Sequence, residues 1–228
     1  MNKIVILLLF TLVFKSGFGQ STSSPQTYTK TFDLIIDSFD LSEKTKIGSL
    51  RGSSAHIGSF NLSHLFNSFW SDANKQDANS FRVDKIIHNG DSTYIEISIY
   101  SLSDAELKTN RDKYPRNMIY VFGNLNKRKA SKEISINERK IELKPLEYVS
   151  YQNQLDEQTI VIIGGARGAK MWITGKEGRQ PIYLSVNDSG HNGISYAHTG
   201  TMSLNRGRVN SVDFGFGAFL VKVFPEKR

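Results

Sequence analysis

The chain has 228 residues, 39% hydrophobic and 22% charged, with 18 glycines, 5 prolines and no cysteine. That composition excludes intrinsic disorder and a disulfide-stapled scaffold. It also excludes every chemistry that needs a thiolate: nucleophilic cysteine, cysteinyl zinc, cysteine-held iron-sulfur clusters and thiol redox pairs. The net charge of +7 makes the chain moderately basic.

The first nineteen residues combine Lys3, an apolar run from Ile4 to Phe14 broken only by Thr11, and the small residues Ser16, Gly17 and Gly19. That order of charged, apolar and small segments predicts a secretory signal peptide cleaved near Gly19 and Gln20, with the product secreted or periplasmic. Eleven residues are too few for a spanning helix, which needs about 20. Cleavage would leave 27 basic and 22 acidic residues, a charge of +5. Residues 20–30, rich in Ser and Thr, read as a flexible linker.

From there the pattern predicts a strand over 32–39, then a Ser/Gly-rich stretch from 41 to 58 with no clear period. A helix follows over 61–76. Its Leu62, Leu65, Phe66, Phe69, Trp70 and Ala73 share one arc, while His64, Asn67, Ser68, Ser71 and Lys75 fall outside it. The passage from Phe69-Trp70 to Ala78-Asn79-Ser80-Phe81, a helix entering a strand through A-N-S-F, resembles a pattern in bacterial envelope and secreted proteins of unassigned function.

A hairpin is predicted over 81–87 and 93–100. Its apolar sets, Phe81, Val83 and Ile87 against Ile95, Ile97 and Ile99, share a face when Val83 pairs with Ile97 and Phe81 with Ile99. That pairing predicts an odd-length loop. Ser103 and Glu106 form a capping box that opens a short helix ending before Tyr114-Pro115, and 117–122 reads as a strand.

Beyond Gly123 the helical period vanishes. A basic link (Lys127, Arg128, Lys129) leads to a hairpin in which Ile134 and Ile136 face Ile141 and Leu143 around a tip at Glu138-Arg139. Further strands are predicted over 158–163, 170–174, 181–186 and 212–224, the last with a bulge near Gly217 where apolar parity changes. The run from Gly217 to Val223 also resembles the final strand of sandwich-type sorting domains.

The expected fold is α+β, an N-terminal sheet backed by one long amphipathic helix over 31–122. A β-rich sandwich or partly closed barrel is expected over 130–228.

Signatures of phosphate-loop, dinucleotide, zincin, α/β-hydrolase and EF-hand sites are absent. Gly164-Gly165-Ala166-Arg167-Gly168 follows an apolar strand, but Met171-Trp172-Ile173-Thr174 after it reads as a second strand, so the segment is a glycine-rich hairpin turn rather than a phosphate cradle. Asp33, Asp37 and Asp213 alternate with apolar residues and read as a solvent face, and Glu96 and Glu142 sit on strands.

Asp188, His191 and His198 form the one local cluster suited to acid-base or metal work, the basis of an alternative reading as a secreted hydrolase or metal-site enzyme. The preferred expectation is a non-catalytic, exported binding or structural protein without a cofactor. Its candidate ligand-binding residues are Trp172, Tyr183, Tyr196, Arg206 and Arg208, and its partner a glycan, peptide or envelope polymer rather than nucleic acid.

Overall fold

In the computed structural model the described residues are 31–57, 61–164, 168–186 and 210–227. Their strands fall into three four-stranded sheets. The first, in the order β1-β3-β4-β2, contains β1 (Asp33–Leu34), β2 (Lys46–Ala55), β3 (Ser80–Asn89) and β4 (Ser92–Tyr100). The middle sheet, β12-β11-β5-β8, contains β5 (Met118–Phe122), β8 (Tyr148–Gln152), β11 (Ile182–Ser185) and β12 (Asn210–Ser211). The outer sheet, β10-β9-β6-β7, contains β6 (Lys132–Ile136), β7 (Arg139–Leu143), β9 (Gln158–Ile163) and β10 (Ala169–Thr174). Three short helices complete the set: α1 (Leu62–Lys75), α2 (Asp104–Asp112) and α3 (Phe214–Val223).

This arrangement overturns the expected fold class. Among the described residues three small sheets dominate with three short helices, no single long helix backs the N-terminal sheet and no barrel closes. Alternation explains the layering instead. Along β5, Ile119 and Val121 point one way into a core shared with Ile134, Ile136, Val161, Ile163 and Ile173 of the outer sheet. Tyr120 and Phe122 point the other way, into a second core with Tyr183, Phe219, Phe66 and Phe81. The middle sheet is therefore covered on both faces.

The C-terminal element is the largest correction. Residues 214–223 form helix α3, not a strand, so neither the bulge near Gly217 nor the resemblance to a final sandwich strand holds. Asp213 caps the helix by accepting hydrogen bonds from the amides of Gly215 (2.9 Å) and Phe216 (3.2 Å). A helix buried nearly all round carries no amphipathic period, and its short apolar run is indistinguishable from a buried strand by pattern alone. The glycines decide how closely it packs: a Cβ on Gly217 would lie 2.2 Å from Tyr183 Cγ, and one on Gly215 would lie 2.0 Å from the Phe32 carbonyl oxygen.

Helix α1 meets its expectation. Asn61 accepts from the amides of Ser63 and His64, and Leu62, Leu65, Phe66, Phe69 and Ala73 are buried while His64 is exposed. It lies on β2, the Ser/Gly-rich stretch that carried no clear period. Gly52 explains why: a Cβ there would sit 2.6 Å from Leu65 Cδ1, so the strand keeps a bare backbone where the helix crosses.

Both hairpins change their turns, and the first keeps its expected face only in part: Ile86, not Ile87, stands opposite Ile95, and Ile87 is exposed opposite Tyr94. Phe81 pairs with Ile99 and Val83 with Ile97, but through a two-residue turn at Gly90-Asp91 and a bulge between Val83 and Lys85, not an odd loop. In the β6–β7 hairpin the tip is Asn137-Glu138, both at positive φ (47° and 69°), the geometry of a type I′ turn. Ile134 then pairs with Ile141 and Ile136 with Arg139, a shift of two residues that leaves the inward face unchanged.

The expected strand over 32–39 shrinks to Asp33–Leu34, parallel to β3. Helix α2 takes over the neighbouring backbone groups. Asn110 donates to the Leu34 carbonyl at 2.9 Å and accepts from the Ile36 amide at 3.0 Å. Tyr114 OH donates a second bond to Leu34 O at 2.6 Å.

Candidate functional site

The outer sheet has one face in the core and one in water. On β10, Ala169 and Ile173 are buried, whereas Lys170 and Trp172 are exposed, Trp172 by 55%. The register places Trp172 opposite Ile160 and Lys170 opposite Ile162 on β9, with Thr174 opposite Gln158. Period-two alternation sets all six on the outward face, since Thr159, Val161 and Ile163 are the buried residues of β9.

Ile160 and Ile162 are half-buried, so the β9–β10 half of this face is an apolar strip centred on an indole and flanked by an ammonium, an amide and a hydroxyl. Leu155, also 55% exposed, lies beside Gly175 just past the end of β10. The β6–β7 half is charged: Glu133 stands opposite Glu142, and Lys140 approaches Glu133 at 3.6 Å. An exposed indole on the outward face of a sheet is a stacking surface for a ring or a sugar face, with polar neighbours in reach of hydroxyl groups.

The other expected binding residues fall elsewhere. Tyr183 is buried, its ring stacked on Tyr120 at 5.3 Å and edge-on to Phe214 at 5.8 Å, so it fills the core instead of meeting a ligand. Burial pushes its hydroxyl well above the ordinary phenol range. Tyr196, Arg206 and Arg208, and the cluster Asp188, His191 and His198, lie outside the described residues. The glycine-rich segment after β9 does join two antiparallel strands, with Ile163 paired to Ala169.

Among the described residues no group of three or more His, Asp or Glu is placed to hold a metal ion, and no helix is long and apolar enough to cross a membrane. A shallow groove of about 240 Å³ is lined by Phe39, Asp40, Glu43, Lys44, Glu106, Thr109 and Lys113. Two of its charges neutralise each other, since Lys44 Nζ lies 2.5 Å from Glu106. The Lys44 ammonium, with the Ser103 amide and hydroxyl, holds the Glu106 carboxyl down at about 2.

Sequence reasoning missed two features. Asp33 does not face solvent: it is buried and bound by Arg111. The isoleucines beside Trp172 were legible only in part, because Thr-Ile-Val-Ile-Ile on β9 shows that both faces carry bulk without showing which is covered.

Comparison with known proteins adds little. No family model matches the chain, and a search of curated proteins finds no match. Among solved structures, a secreted protein of Salmonella typhimurium LT2 determined by solution NMR is similar at 18% identity and a TM-score of 0.25, covering 44% of this chain and 88% of its own.

Proposed function

We propose that the chain is an exported, non-catalytic binding protein of the cell envelope or extracellular space that holds a polysaccharide against the outward face of β9 and β10. The exposure of Trp172 carries this reading. Leaving an indole more than half in water forgoes the hydrophobic stabilisation of burial, which is worth roughly 1.5–3 kcal/mol even for smaller apolar side chains. A ligand that stacks on the ring recovers it.

A glycan fits this surface better than a peptide. The C–H face of a pyranose lies flat on an indole while its hydroxyls meet Lys170, Gln158 and Thr174 around the ring. The leader-like segment at the N-terminus and the basic balance of the remaining chain support an exported protein that meets envelope polymers.

Co-sedimentation with purified peptidoglycan sacculi and with chitin tests the proposal. The expected result is retention on at least one of them. Trp172→Ala should weaken it by about 2 kcal/mol, roughly thirtyfold, as for a central aromatic contact. Absence of retention on both, or equal retention of the variant, overturns it.

A further inference from the structure

Two histidines in this fold share one hydroxyl. Thr93, fully buried on β4, stands opposite His88 of β3 in the hairpin register and opposite Ser54 of β2 on its other side. His56 lies two residues past Ser54, one residue beyond the end of β2. Its Nε2 is 2.6 Å from Thr93 Oγ1, and Nδ1 of His88 approaches the same oxygen at 3.0 Å. His88 is exposed, whereas His56 is buried.

A threonine hydroxyl has one proton to give and lone pairs to accept with. Its own proton finds an acceptor within the pair only when one of the two facing nitrogens carries no hydrogen. A proton added to His56 keeps its bond to Oγ1, with Thr93 donating to His88, but it sets a charge on a buried ring with His88 and Lys127 beside it.

The backbone makes this cluster mechanical. The His56 amide donates to the Asp91 carbonyl at 2.8 Å, tying the end of β2 to the turn of the β3–β4 hairpin. The His56 carbonyl accepts from the Lys127 amide at 2.9 Å, and Lys127 Nζ reaches the Asp91 carboxylate at 2.8 Å. The 124–130 link, which joins β5 to β6, is thus strapped to the hairpin end through His56.

We propose that His56, Thr93 and His88 form a pH-sensitive latch that holds the 124–130 link on the β3–β4 hairpin at neutral pH and releases it under mildly acidic conditions. The charged groups facing His56 are His88 and Lys127, both of which oppose a proton on its ring, and Asp91, which favours one. Burial adds to the opposition, so the ring is held below its usual titration range. The neutral ring is the form the fold prefers. The stabilisation is present above the ordinary histidine value of 6.5 and is lost as pH falls through the lower folded-state value. An imidazolium at His56 must move toward water, and the 55–57 backbone that carries the Lys127 bond moves with it.

Amide hydrogen exchange by NMR on the full chain, between about pH 8 and about pH 5, tests the latch. Protection of the Lys127 amide should fall several-fold on acidification. That of Leu107, bonded to Ser103 O inside α2, should hold. In His56→Gln, which keeps a hydrogen-bonding side chain without titrating, Lys127 protection should no longer depend on pH. In His88→Gln, which removes a neighbour that opposes a proton on His56, the midpoint should move up toward 6.5. Constant Lys127 protection in the wild-type chain overturns the proposal. So does an equal loss at Leu107. If His56→Gln fails to fold, the direction of the His88→Gln midpoint decides.

Discussion

Asp33 of β1 and Arg111 of α2 are joined by two parallel hydrogen bonds, Nε to Oδ2 at 2.5 Å and a terminal guanidinium nitrogen to Oδ1 at 3.1 Å. The carboxylate is 2% exposed, while the Arg111 side chain, 5.7 Å over the Phe214 ring, keeps 36% of its surface in water. Burial pushes the Asp33 carboxyl above its ordinary value and Arg111 pulls it back. Arg111→Met removes the counter-charge and leaves burial alone. Breaking a buried pair costs 3–5 kcal/mol, and the part-exposed guanidinium places this one at about 3 kcal/mol. Because the folded-state pKa is raised, the variant's deficit should be full at neutral pH and shrink in acid as Asp33 takes up a proton. Urea unfolding at several pH values checks both statements.

Helix α3 belongs to the same core as the first sheet. Phe219 is fully buried, with its ring 5.2 Å from Phe66 and 6.1 Å from Phe81. Phe219→Ala should destabilise the chain by about 3–5 kcal/mol. Gly217→Ala should cost about 1–3 kcal/mol through overpacking, because its new methyl meets a Tyr183 ring already stacked on Tyr120. Denaturant midpoints measured by aromatic near-ultraviolet circular dichroism read both.

Acid stability should depend on Glu106. Its carboxyl, held down at about 2 by Lys44 and by the amide and hydroxyl of Ser103, is ionised more readily in the folded chain than at its ordinary value of 4.5. The stabilisation it gives is present above 4.5 and is lost as pH falls toward about 2. Glu106→Gln should therefore flatten the melting temperature across that window and leave its shape unchanged above it. Calorimetric scans across the same window decide.

What the sequence made legible follows from where one physical signal dominates. The apolar arc of α1 and the Ser103–Glu106 capping box of α2 are each a strong local signal, and both helices lie where expected. The Phe81 and Val83 pairings were recoverable because a one-residue slip would have turned every isoleucine of β4 outward. The bulge after Val83 was not, since a bulge and an odd loop restore parity equally well.

Strand β2 was hidden because its inward positions include Gly48 and Gly52, which carry no hydrophobic signal. Helix α3 was hidden for the opposite reason, an excess of it. Asp33 read as a surface residue because its partner lies 78 positions away in sequence. At the candidate site the exposure of Trp172 was not legible, since an indole on an alternating strand fits a core as well as a surface.

The chain has two tryptophans, Trp70 on α1 and Trp172 on β10, and only Trp172 is exposed as a large apolar side chain. In a Trp70→Phe background the emission of Trp172 reports on the outward face of the outer sheet alone. Titration with soluble peptidoglycan fragments or chitin oligosaccharides should shift this emission to the blue and saturate. A spectrum unchanged at saturating concentrations of both would contradict the assignment of that face as a glycan-binding surface.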